Sequence, residues 1–319
     1  NPVPDFSDLP DRDAARAKLA RRYGVSHDHL YVVYPVRGIR RKNVGEFLLW
    51  GAASPGNACF GLTLPPLNPL ERPRYLAWKR LAETLQLPVK FEVGAAGGLE
   101  FGENLMAADR ILTTSVAEGF GMVFLESWLA QRALLGRDLP EITGDFVAAG
   151  LEFPELSDGV QIPAEWVSLR RVRAEVSESY ASVLDAYGQF QLDAERIDQE
   201  VSEFFSTELL DFGRCSATLQ ESIISQLVRD PRRQQELRQL NPAFDVSRER
   251  RLDASDDQIS RNAQAVRDHY SLEPSGARLQ KLYRIVLNSP RGEQYELPRG
   301  ASVLDAFLSL QRFNPVRIH

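Results

Sequence analysis

Short apolar runs alternate with helical stretches through the first half of the chain, and this alternation narrows the fold more than any other feature. LYVVYPV (30–36), NACFGLTL (57–64), PVKFEV (88–93), RILTTS (110–115) and ALLG (133–136) read as strands. Between them, VGEFLLWGAA has helical spacing. ERPRYLAWKRLAETLQ (71–86) is amphipathic, with Tyr75, Trp78, Leu81 and Leu85 on one side. The glycine-rich AAGGLEFGENLMAA leads into a short helix, and MVFLESWLA forms another. Strands that take turns with helices predict an α/β, doubly wound parallel sheet covered on both faces.

The pattern changes near residue 160. VSLRRVRAEVSESYASVLDAY carries Leu169, Val172, Val176, Tyr180, Val183 and Tyr187 at helical spacing, with no strand to alternate with. Further helices are predicted around 194–206, 216–229 and 256–287. The expected organisation is a linker and leading helix over 1–29, a Rossmann-like domain over 30–160, a long α-helical extension over 161–290 and a tail over 291–319. ASVLDAFLSLQRF in that tail can form one more helix.

A net charge of -6 argues against a general nucleic-acid binder. Two cysteines, Cys59 and Cys215, make neither a disulfide framework nor a metal cluster, so a cytoplasmic setting is expected. No apolar run approaches the roughly 20 residues of a membrane span, and no signal peptide is recognised. The chain opens NPVPDF, and its methionines are Met106 and Met122, so a fragment or processed product is expected.

The chemistry concentrates in AEGFGMVFLES (117–127), between the fourth strand and the following helix. Ligands bind at the carboxyl ends of the strands in such sheets. Gly119 and Gly121 let the backbone approach a ligand, and the free amides at a helix start favour an anion. Glu126, about one turn into the helix, can point back to the crevice that Glu118 reaches from the loop. Carboxylates suit hydroxyls, so a phosphate between two of them describes a sugar nucleotide. The loop after the first strand, RGIRRKN, adds Arg37, Arg40, Arg41 and Lys42, of which Arg40 and Arg41 read as structural or solvated. The histidines of HDH (27–29) point apart and are not read as metal ligands, and Cys59 reads as core.

These two loops resemble the nucleotide-binding half of retaining glycosyltransferases with the GT-B fold, family 4 in the usual classification. That family carries a glutamate, seven residues and a second glutamate, which here are Glu118 and Glu126. It also carries an arginine followed five residues later by a lysine, here Arg37 and Lys42. The likeness covers 1–155 and continues over 205–287, where ISRNAQAVRDHYSLEPSGARLQKLY resembles C-terminal helices packed back across the molecule. The resemblance implies a transferase that moves a sugar from a nucleotide-diphosphate donor, UDP- or GDP-linked, with retention of configuration. It implies that Arg37 and Lys42 bind the diphosphate, Glu126 the ribose and Glu118 the transferred sugar. Phe120, Gly121 and Met122 would offer amides. No metal and no cofactor is expected.

Three departures stand beside this. Arg137 and Asp138 take the place of the family's usual glycines, the stretch 160–245 is unusually long, and residues 1–29 are too few for an acceptor domain. An N-terminal domain or a partner chain would complete the cleft, and the acceptor stays unnamed. A non-catalytic nucleotide-sugar-binding or regulatory protein remains the alternative.

Overall fold

The computed structural model describes residues 2–4, 6, 8–54, 56–188, 195, 199, 201–202, 208–244, 246, 256–289, 300–310 and 313–317. The predicted helix around 194–206 lies almost wholly outside these residues.

Six parallel strands form the main sheet. They are β1 (Leu30–Arg37), β2 (Ala58–Leu64), β3 (Val89–Phe91), β4 (Arg110–Thr113), β5 (Leu134–Arg137) and β6 (Leu156–Ser157). Their order is β3-β2-β1-β4-β5-β6. The chain winds outward from β1 in one direction and from β4 in the other, so the connections diverge between these two strands. In open α/β sheets that divergence opens a crevice at the carboxyl ends of the strands.

Successive side chains point to opposite faces of a strand, and β1 serves two cores accordingly. Leu30, Val32 and Tyr34 face one, with residues of α2 (Val44–Ala53) and α3 (Arg72–Thr84). Tyr31 and Val33 face the other, with α1 (Arg12–Tyr23), α4 (Phe101–Ala107), α5 (Val123–Leu129) and α6 (Pro140–Ala148). In α3 the predicted apolar side is observed: Tyr75 and Trp78 are buried, and Leu81 and Leu85 pack against them in part.

The region past 160 is not purely helical, which corrects the sequence expectation. β7 (Gln161–Pro163) pairs antiparallel with β8 (Leu209–Asp211), Ile162 opposite Leu210. Each strand is three residues long, too short to show a period of two. Around this pair lie α7 (Leu169–Ala186), α8 (Ala217–Arg229) and α9 (Pro231–Leu240). Val172, Val176 and Tyr180 of α7, Ile223, Ile224 and Leu227 of α8 and Leu237 of α9 join the same core as α2. The extension is therefore welded onto one face of the sheet.

On the other face, α10 (Asp256–Tyr270) buries Ala263 and Val266. After Ser271 the chain continues into α11 (Leu272–Asn288), in which no residue is buried. Leu282, Tyr283, Val286 and Leu287 are between 57% and 82% exposed. The expectation that this helix packs back over the molecule is not met among the described residues. The tail forms α12 (Gly300–Phe307). No described helix is long and apolar enough to cross a membrane.

Candidate functional site

The crevice between β1 and β4 is built from two loops that hydrogen-bond to each other. After β1 the chain makes a single 3-10 turn over Arg40–Lys42. Asn43 then takes a left-handed conformation (φ 48°, ψ 58°) and opens α2. After β4, Thr114 and Ser115 are fully buried. The Thr114 hydroxyl donates to the carbonyls of Lys42 (2.9 Å) and Asn43 (3.2 Å), and the Val116 amide donates to the Arg41 carbonyl (2.9 Å). The Tyr34 and Ser115 hydroxyls are 2.6 Å apart, and Ser115 donates to Glu118 at 2.6 Å.

Glu118 is the hub. Its side chain is 5% exposed and accepts from the Lys42 ammonium on one oxygen. Its other oxygen accepts from the Arg41 guanidinium at 2.5 Å, and Arg41 also donates to the Ala117 carbonyl at 3.1 Å. Burial raises the Glu118 carboxyl, but Lys42, with Ser115 and Arg41, more than offsets this and holds it below its ordinary value. Burial lowers the Lys42 ammonium, and Glu118 offsets only part of that. Glu126 has no such contact. Burial pushes its carboxyl up to about 7, against the partial opposition of Lys42.

The structure thus brings Lys42, Glu118 and Glu126 of the sequence-predicted set together and separates Arg37 from them. Arg37 is exposed and donates to the Pro65 carbonyl at 3.2 Å, toward β2. Arg41, read from sequence as structural or solvated, is the arginine that reaches Glu118, while Arg40 bonds Glu71 and the Leu70 carbonyl. The available signal was position: Arg41 sits beside Lys42 in a turn that faces the second loop. Phe120 turns its ring into the core, edge-on to Phe146 at 5.7 Å, and Met122 packs there too. What is left for them to offer the crevice is backbone. Among the described residues, no backbone carbonyl accepts from the amides of Phe120, Gly121 or Met122. Gly121 has φ 81°, and a Cβ there would lie 2.6 Å from the Phe124 ring. Gly119 faces open space. The cavity of about 610 Å³ lined by Pro2, Val3, Leu129, Val266 and Leu272 lies at the other end of α5 and includes none of these groups.

The two residues in place of the usual glycines do structural work. Asp138 accepts from the Leu139 amide (2.8 Å) and the Thr143 hydroxyl (2.6 Å), which secures the start of α6. Arg137 is 5% exposed and forks onto Asp211 (2.7 and 2.9 Å), while also bonding Glu46 (2.5 Å) and the Asp158 carbonyl (3.1 Å). Room for the guanidinium comes from two glycines: a Cβ on Gly213 or Gly159 would lie 2.4 or 2.6 Å from it.

Chemically, two cations face one fully committed carboxylate at the sheet's crevice, with free amides and a second, protonatable carboxylate beside them. That arrangement is chemically suited to an anion flanked by hydroxyls.

No protein-family model matches the chain. Mannosylglucosyl-3-phosphoglycerate synthase of Petrotoga mobilis is 27% identical over 219 residues, which are 68% of this chain and 42% of that protein. Among solved structures, the C-terminal domain of a group 1 glycosyl transferase (LpcC) from Francisella tularensis is similar at TM-score 0.35 and 14% identity, covering 42% of this chain and 69% of that one. The glycosyltransferase WaaG aligns at TM-score 0.40 and 15% identity, over 87% of this chain and 55% of its own. HepE of Anabaena, solved with UDP and glucose, aligns at 0.43 and 12%, over 86% and 55%. Glycosyltransferases are what the chain is similar to in these structural comparisons, and it spans less than half the length of the curated relative it matches.

Proposed function

We propose that this chain supplies the nucleotide-sugar-binding half of a GT-B-type glycosyltransferase that transfers its sugar with retention of configuration. The observation that carries this reading is the Arg41/Lys42–Glu118 junction at the fork of β1 and β4, with Glu126 beside it and unpaired amides at 120–122. A nucleoside diphosphate gives that junction what it lacks, a second negative partner for its cations. The name of the Petrotoga relative, a synthase of a mannosylglucosyl compound, points the same way. Lys42 and Arg41 hold the diphosphate and stabilise charge on the departing nucleotide, which makes a metal unnecessary. Arg37 joins them only by turning from Pro65. Glu126 takes ribose hydroxyls, and Glu118 takes the transferred sugar once the phosphates draw Lys42 and Arg41 away from it. The acceptor half of the cleft comes from another domain or chain.

The test is calorimetric titration with UDP, GDP and ADP, with and without EDTA. At least one should bind, EDTA should change nothing, and Lys42→Met should weaken binding about tenfold or more, the worth of a charged hydrogen bond. Absence of binding by all three, or a Lys42→Met variant that binds as well as the parent, overturns the reading.

A further inference from the structure

The helical extension reaches the turn beside the crevice directly through Gln220 and indirectly through Asp211. Gln220 of α8 is fully buried. Its amide nitrogen donates to the side-chain oxygen of Asn43 (3.0 Å) and to the Phe212 carbonyl (3.2 Å). Asn43 is also fully buried, and its own amide nitrogen donates to Glu46 at 2.8 Å. Glu46 in turn bonds Arg137, which is anchored on Asp211 at the end of β8. Two tethers from the extension therefore converge on Asn43, the residue after Lys42.

The backbone at Asn43 makes this convergence informative. Its left-handed φ of 48° is conformation that glycine adopts freely and asparagine adopts at some cost. Asparagine there gives up glycine's ease in exchange for two buried hydrogen bonds. Space has been cleared for the donor as well: a Cβ on Gly45 would lie 2.0 Å from the Gln220 oxygen. On its other side the same turn is held by Thr114 and by the amide of Val116. The Lys42 backbone is thus clamped between β4 and α8, while its side chain is held by Glu118 alone among the described hydrogen bonds.

We infer that Gln220 is a positioning residue for Lys42: acting through Asn43, it makes the helical extension part of the anion site rather than a separate module. The inference rests on the proposed diphosphate site for its functional meaning. When an anion competes for Lys42, the side chain loses its tie to Glu118, and only the clamped backbone keeps the ammonium in place. A loosened turn would let Lys42 leave with its tie, and affinity would fall without any change in the groups that touch the ligand.

Two measurements test this, on Gln220→Met, which keeps length without the donor, and on Asn43→Gly, which keeps the left-handed turn without either side-chain bond. The first needs no ligand. Trace acetylation of lysines read by mass spectrometry should speed up severalfold at Lys42 in both variants and stay constant at Lys18 and Lys79. The second is a double-mutant cycle with Lys42→Met, read as affinity for whichever of UDP, GDP or ADP the parent binds. Gln220→Met alone should weaken binding about three- to tenfold, the range for the one hydrogen bond lost to Asn43, and should add nothing once Lys42 is gone. Unchanged Lys42 labelling in folded Gln220→Met and Asn43→Gly overturns the inference, as does a cycle in which the two losses simply add. A parent that binds no diphosphate while Lys42 labelling responds would refute the proposed function and leave the positioning intact.

Discussion

Replacing Glu126 by glutamine should stabilise the ligand-free fold, and only on the alkaline side. Burial raises the Glu126 carboxyl from 4.5 to about 7. A carboxyl that holds its proton more tightly when folded costs no stability below pH 4.5, and the cost is complete above about 7. At about 1.4 kcal/mol per pH unit, that interval corresponds to roughly 3 kcal/mol as a ceiling. The side chain keeps some contact with water, so about 1–2 kcal/mol is the expected penalty in practice. Glutamine has nearly the same shape and no charge to desolvate. The assay is urea unfolding of the parent and Glu126→Gln at pH 5 and pH 8, with each slope fitted so that a change in midpoint is read as stability. The variant should match the parent within about 0.5 kcal/mol at pH 5 and exceed it by about 1–2 kcal/mol at pH 8. For a chain of 319 residues this is a rise of about 2–3 °C in Tm. An equal offset at both pH values, or a parent more stable than the variant at pH 8, would show that Glu126 is not a buried, under-solvated carboxylate.

Three other substitutions give separable outcomes. Arg137→Met strips fully buried Glu46 of its cation and leaves Asp211 only the longer pair with Arg214, so unfolding stability should drop by about 3–5 kcal/mol; a loss under 1 kcal/mol would contradict the network. Gly61→Ala drives a methyl to 2.1 Å from the hydroxyl of Tyr31, whose side chain is fully buried in β1. It should cost about 1–3 kcal/mol by overpacking, measured by thermal melting against the parent. Gly119→Ala meets nothing within 4 Å, so stability should stay within about 0.5 kcal/mol. Its diphosphate affinity, measured by calorimetry, should fall if the open space that the methyl enters beside this loop is the space the diphosphate occupies, and an unchanged affinity would place the ligand elsewhere.

The first half of the fold was legible because its strands from 30 to 136, the half-buried β3 apart, are buried and largely apolar runs that contrast with the helical stretches between them. The short strands were not: β6, β7 and β8 have two or three residues each, and β7 finds its partner across the chain from 161 to 211. Their pairing comes from tertiary placement, which leaves no local period. That both glutamates and Lys42 gather at one crevice was legible by type and spacing. The choice between Arg37 and Arg41 was not, because it depends on which way a single 3-10 turn rolls the side chains after β1. Arg137 read as a missing glycine, since nothing local announces a bond to Asp211, 74 residues later. The resemblance of 259–283 to helices packed back across the molecule holds for α10, which buries Ala263 and Val266, and not for α11, which buries no residue.

Glu118 and Glu126 lie eight positions apart at one crevice, yet the fold treats them oppositely. Glu118 receives two cations and a hydroxyl, and its carboxyl is held below the ordinary value. Glu126 is withdrawn from water with Lys42 acting on it only from a distance, and its carboxyl rises to about 7. Divergent environments for neighbouring titratable groups are how one site assigns them different tasks. At neutral pH Glu118 is a fixed acceptor whose bonds are already made, so a ligand that uses it must first offer Lys42 and Arg41 another anion. Glu126 has bonds to give and can meet a hydroxyl as acceptor when ionised or as donor when protonated. The spacing of the two acids therefore places one where the cations of the first loop can reach it and the other where they cannot, and that difference in reach, rather than the residue type, separates their chemistry.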